Sequence, residues 1–220
     1  MNRALPLILT AVVLVIGYVG FVYYRGAQPW SWEQDIDNDI ELPRVDAMAG
    51  HGSYNDYRLF VVDAAGEVVT DKPFLLSTQP PLGFSIVAVD RRCGISPFLE
   101  RLGELAEDGI DSIGVMVQTI EDDDYFVLCE LDLVTDGEYG EDANVHTVVV
   151  MGKDRYLFDG RERSTDGIGA DLMRISSMTA LARIRVRTAY AGNITPLIDL
   201  LDASIMANLH NIALIVDRPL

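Results

Sequence analysis

The chain has little cysteine, little histidine and no acid near its start. Two cysteines, Cys93 and Cys129, are too few for a disulfide scaffold, and their spacing fits no zinc pattern. His51, His146 and His210 have no Cys or Glu at metal-ligand spacing. There is no G-x-S-x-G, no Walker loop and no G-x-G-x-x-G, so the sequence offers neither a nucleophile elbow nor a phosphate cradle. Cations are scarce too: 17 Lys and Arg stand against 34 Asp and Glu, a formal charge of −17 over 220 residues. This balance excludes a phosphate-driven nucleic-acid binder, which needs a basic face to release counterions. It also argues against docking on anionic lipid head groups. An apolar fraction of 49% is too high for a disordered acidic tail. The expectation is a protein that is not an enzyme, with no catalytic, cofactor-binding or metal residue and no cofactor.

The acids begin only at Glu33, and before Trp30 the cations are Arg3 and Arg25 alone. Between them lies Ala4 to Tyr24, an uncharged stretch rich in Leu, Ile, Val and Phe. As a helix it spans about 30 Å, the thickness of the hydrocarbon core of a bilayer. Tyr23, Tyr24, Trp30 and Trp32 stand at its far end, where an interfacial aromatic belt belongs. A cleaved signal peptide is the rival reading, but the apolar run is too long and no A-x-A pattern follows it. Residues 1–26 are therefore expected to be a single uncleaved transmembrane anchor, in contact with lipid through residues 4–24. The charge bias that sets orientation is slight, and the large acidic part is expected outside the cytoplasm. There, Cys93 and Cys129 would sit where thiols can oxidise.

Residues 27–52 read as an acidic linker with Pro29, Pro43, Gly50 and Gly52. Asp35, Asp37, Asp39 and Glu41 recur at every second position, like the start of a calcium loop, but Ile40 stands where the sharp turn needs glycine. A solvated spacer is the simpler reading.

Beyond the linker the chain repeats itself. Ile95-Ser96-Pro97-Phe98-Leu99-Glu100-Arg101-Leu102 matches Ile194-Thr195-Pro196-Leu197-Ile198-Asp199-Leu200-Leu201 at an offset of 99. At the same offset Ile113 to Val117 falls on Ile212 to Val216, and Val87 on Val186. Further upstream, Leu59 to Val62 lies over Val148 to Met151 at an offset of 89, followed in each copy by a polar turn and a second strand. The spacing predicts a β-hairpin, a strand, a helix and a strand in each copy. The extra length of the second copy falls at Thr165 to Met178, which reads as an additional helix with Ile168, Leu172 and Ile175 on one face. Pro80-Pro81 breaks the corresponding stretch of the first copy.

Ser96 and Thr195 are expected N-caps, with Pro97 and Pro196 at the first helical position. Gly109 is expected to end the first helix, with Asn208 at its equivalent. Val115 to Val134 reads as a hairpin that gives the first copy an edge strand, and Thr135 to Asn144 as a polar joint. Cys93 precedes a helix N-terminus, a setting that can lower a thiol pKa, although a structural thiol or half of a disulfide is the simpler reading.

The second copy, from Thr147-Val148-Val149-Val150 through Ile194-Thr195-Pro196-Leu197 to Ile212-Ala213-Leu214-Ile215-Val216, resembles the periplasmic domain of the ExbD/TolR family. The single N-terminal helix and linker resemble that family as well. The resemblance covers about residues 146–217, and it rests on hydrophobic pattern and caps. It implies a biopolymer-transport protein of the bacterial inner membrane, single-pass, with its C-terminal part in the periplasm. It also implies a multi-helix ExbB/TolQ-type partner and use of an ion gradient. In ordinary members one domain per chain pairs with that of another chain, and two copies in one chain could form the pair internally. Family members usually carry a membrane-embedded aspartate on the ion path, and Ala4 to Tyr24 has none. Such a residue is costly in lipid and is kept for function, so this helix is expected to anchor and pack without relaying protons.

The expected fold is α+β: the transmembrane helix, then two tandem small ExbD/TolR-like domains, each with helices packed on a mixed sheet. The boundaries are 1–26 anchor, 27–52 linker, 53–134 first domain, 135–145 hinge and 146–220 second domain. The expected function is a non-catalytic, extracytoplasmic subunit of an energy-coupling or envelope complex. The alternative is a tethered binding module for peptidoglycan or a periplasmic protein. Homodimerisation through sheet edges is compatible with either.

Overall fold

The computed structural model describes residues 39–45, 57–74, 84–120, 125–134, 144–179 and 181–216. The stretch 4–24 expected as an anchor, His51, Pro80-Pro81 and most of the joint 135–144 lie outside the described residues. Among the described residues no helix is long and apolar enough to cross a membrane.

All of these residues belong to one compact unit, Ile36–Leu220. The first repeat contributes β2 (Tyr57–Val62), β3 (Val68–Phe74), β4 (Phe84–Val89), α1 (Ile95–Glu107) and β5 (Ser112–Thr119). The second contributes β7 (Val145–Gly152), β8 (Arg155–Phe158), β9 (Arg161–Arg163), α2 (Thr165–Met178), β10 (Arg183–Thr188), α3 (Thr195–Met206) and β11 (Ile212–Ile215). Strand β1 (Arg44–Val45) precedes both repeats and β6 (Tyr125–Val134) stands between them.

The repeats share one strand order, hairpin strand, first strand, middle strand, last strand. It runs β3-β2-β4-β5 in the first and β8-β7-β10-β11 in the second. In each, the first, middle and last strands are parallel and the hairpin strand is antiparallel. Parallel neighbours need a crossover, which is what α1 and α3 supply.

Two tandem domains on separate sheets are not what forms. All eleven described strands belong to one sheet, in the order β3-β2-β4-β5-β6-β11-β10-β7-β8-β9 with β1 beside β5. The reason is β6, expected at an edge and found at the centre. It pairs antiparallel with β5 on one side and parallel with β11 on the other. A free β6 edge would expose unpaired amides and carbonyls, and β11 satisfies them. Packing completes the join. Phe98, Leu102 and Leu105 of α1, Ile168, Leu172 and Ile175 of α2, and Leu197, Leu201 and Ile205 of α3 share one buried cluster with Leu128, Leu131 and Leu133 of β6.

Helix ends follow the sequence more closely than helix starts. Gly109 and Asn208 both adopt positive φ, 86° and 59°. Behind them, the Ile110 and Leu209 amides donate to the carbonyls of Leu105 and Ser204. An alanine at Gly109 would meet nothing within 4 Å, so its cost is backbone strain alone, about 1–2 kcal/mol. At Gly66, in the β2–β3 turn, φ is +89° and an added Cβ would lie 2.5 Å from Cβ of Pro97. There the turn is seated on the start of α1, and Arg101 Nε donates to the Gly66 carbonyl at 3.1 Å. Gly66→Ala is expected to cost more than Gly109→Ala, because steric overlap adds to the strain. Urea denaturation of the two variants side by side checks the order.

Candidate functional site at the junction of the two halves

Neither expected N-cap caps. Helix α1 begins at Ile95 after Gly94, and α3 begins at Thr195 after Ile194, with no side-chain cap at either. Ser96 and Thr195 lie inside the first turns. Instead, one amide at each of these helix starts is met by the other half. Ile95 N–H donates to the carbonyl of Gly192 at 2.8 Å, and Ile194 N–H donates to the carbonyl of Cys93 at 3.0 Å. Gly94 and Asn193 face each other in an antiparallel bridge. Shifting residues 93–95 by 99 gives residues 192–194, so each hydrogen bond is the image of the other. The halves are therefore related by a local twofold that passes between Gly94 and Asn193. Because β11 is parallel to β6 while β5 is antiparallel to it, the halves run in opposite directions across the seam, as such a twofold requires.

The first half is also fastened to the segment that precedes it. Residues 39–45, read as part of the spacer, lie along the first half. Gln118 N–H donates to the carbonyl of Pro43, Ile120 N–H to that of Val45, and Arg91 N–H to that of Glu41. At the centre is Asp90, whose side chain is fully buried. It accepts from the Glu41 amide, the Arg92 amide and the Arg92 guanidinium at 2.6–3.2 Å. Burial pushes this carboxyl up, but the hydrogen bonds from Arg92 and Glu41 prevail and hold it below the usual carboxylate range. Arg91 and Arg92 also pair with Glu41, and Arg92 donates to the carbonyl of Asp39. Sequence reasoning missed Asp90. It lies in a loop, and only the fold shows it to be buried.

Both thiols are buried and unpaired. Burial, then the charges of Asp63 and Asp90, push the Cys93 thiol up to about 11, so the helix start does not activate it. Burial raises Cys129 as well. His146 Nδ1 lies 2.8 Å from Asp159 Oδ2, with the ring stacked on Phe158, and His210 Nε2 lies 3.1 Å from Asn208 Oδ1. Tyr156 is fully buried and donates to the carbonyl of Pro196 at 3.1 Å. Half-buried Asp199 has its pKa raised by burial and then by the charge of Asp202. Among the described residues no group of three or more His, Cys, Asp or Glu is arranged to hold a metal ion.

Comparison with family models, curated proteins and solved structures finds no match to the chain.

Proposed function

We propose that the chain is a non-catalytic, membrane-tethered subunit of an ExbB/TolQ-type energy-coupling or envelope complex. In this reading residues 4–24 hold it in a bacterial inner membrane, and its sheet lies on the periplasmic side. The observation that carries the reading is the reciprocal bonding at Gly94 and Asn193. It joins two repeats of one chain as a twofold pair, where the family that the sequence resembles brings two chains together. The fastening of residues 39–45 supports it too, because tension arriving along the tether would enter at β1 and Asp90 and spread into the whole sheet. Without an aspartate in the stretch 4–24, the subunit would receive or transmit force and would not relay the ion.

The test is purification of the full chain from its native membrane in mild detergent. Co-purification of a multi-helix membrane protein in stoichiometric amount is the expected result. Recovery of the chain alone sinks the reading. The missing aspartate also favours a tethered module for peptidoglycan or a periplasmic protein, and retention of the detergent-solubilised chain on isolated peptidoglycan would point there instead.

A further inference from the structure

Residues 39–45 stand between the sheet and the chain that leads back to residues 4–24. They are held at two places. At the near end, the turn after β4 clamps Asp39 and Glu41. Arg92 Nη2 donates to the Asp39 carbonyl at 2.8 Å, Arg91 N–H donates to the Glu41 carbonyl at 2.7 Å, and the Glu41 amide donates to Asp90. The Glu41 carboxylate pairs with both Arg91 and Arg92. At the far end, β1 pairs with β5 over two residues, and the Gln118 and Ile120 amides donate to the carbonyls of Pro43 and Val45. Leu42 and Val45 are buried, and β1 touches α3 as well.

The strands beneath are paired without this segment. β4 accompanies β5 as far as Met116, and β6 reaches Gln118 on the other side. β1 therefore takes the edge that β4 leaves at the end of β5, and among the described strands it pairs with β5 alone. Asp90 would lose only the Glu41 amide with it, because its other hydrogen bonds come from Arg92. The charged contacts lie at the end that a pull from residue 38 loads first, and the neutral backbone bonds lie behind them. Charge-assisted hydrogen bonds are about twice as strong as neutral ones. Once the clamp gives, β1 has two backbone bonds and little else in line with the load.

We infer that residues 39–45 are a strap released by tension: a pull toward residue 38 opens the clamp and peels β1 from β5 while the rest of the sheet stays folded. The inference rests on the tethered reading of the chain. Below the release load the strap hands tension to the sheet. Above it, the end of β5 loses its neighbour and the seat of Leu42 and Val45 opens, so a pull becomes a change of surface.

The experiment holds the full chain, in neutral detergent, in an optical trap by residue 38, as Asn38→Cys, and by its C-terminus. The native thiols are buried and do not compete for the handle. A first step of about 20 Å, the length of residues 39–45 drawn out, is expected before the main unfolding event. Glu41→Gln removes the carboxylate that pairs with Arg91 and Arg92 and keeps the backbone bonds of Glu41. It is expected to lower the force of the first step and to leave the main event where it is. Hydrogen exchange without load gives a second reading. In Glu41→Gln the Gln118 and Ile120 amides are expected to exchange about threefold to tenfold faster than in wild type, with Val87 and Val186 unchanged. A single event at every load overturns the inference. So does a Glu41→Gln variant that lowers both events together, or one that leaves exchange at Ile120 unchanged. Pulling the isolated chain needs no partner, so failure here is told apart from failure of the co-purification test.

Discussion

Leu102→Ala and Leu201→Ala are expected to lower one and the same unfolding transition, each by about 2–5 kcal/mol. The two residues are equivalents at the offset of 99, one on α1 and one on α3, and both are fully buried in the shared cluster. Truncation removes contact area and leaves a cavity that close-packed neighbours fill only in part. The size of the loss is ordinary for a core leucine, and its location is the informative part. In tandem domains each substitution would weaken its own half, and calorimetry would show two transitions moving independently. Here β6 hydrogen-bonds to both halves and its leucines sit in the one buried cluster that the halves share. One peak is expected, with calorimetric and van't Hoff enthalpies in agreement. Two peaks would contradict the continuous sheet.

Asp90→Ala is the second large effect. It strips hydrogen-bond acceptors from two backbone amides and a guanidinium at once, and the position is fully buried. Buried groups left without partners cost about 1–3 kcal/mol each. Arg92 is half-exposed and recovers water, so a total of about 2–4 kcal/mol is expected. The acid limb of the stability curve gives a second readout. The folded carboxyl lies below its unfolded value of about 4, so its stabilisation is complete above that value. It is lost as pH falls through the folded pKa. The difference in stability between wild type and Asp90→Ala should therefore be constant at neutral pH and shrink only in acid. A gap that shrank on raising the pH would contradict the sign of the shift.

Local signals in the sequence were good guides. The matching apolar runs Leu59 to Val62 and Val148 to Met151 marked the hairpin strands, and Ile168, Leu172 and Ile175 marked α2 at the limits it has. Gly109 and Asn208 marked the helix ends, because a left-handed residue is a requirement of one position. The features that were missed depend on distant partners. Nothing near Tyr125 to Val134 says that the far edge of β6 will meet β11, 81 residues downstream in register Leu131 with Ile212. Ser96 and Thr195 looked like caps because hydroxyl chemistry is local, whereas the carbonyls that meet the Ile95 and Ile194 amides, Gly192 and Cys93, lie about a hundred residues away. Asp90 looked like one acid among 34.

The seam strand has a consequence for stoichiometry. A twofold pair of separate chains presents each surface twice and invites two copies of whatever binds it. This pair is fused, its central strand is supplied once, and where β10 carries Arg183, Arg185 and Arg187 the first repeat has Phe84, Ile86 and Ala88. Anything that binds this sheet would therefore meet two unlike halves rather than the same surface twice.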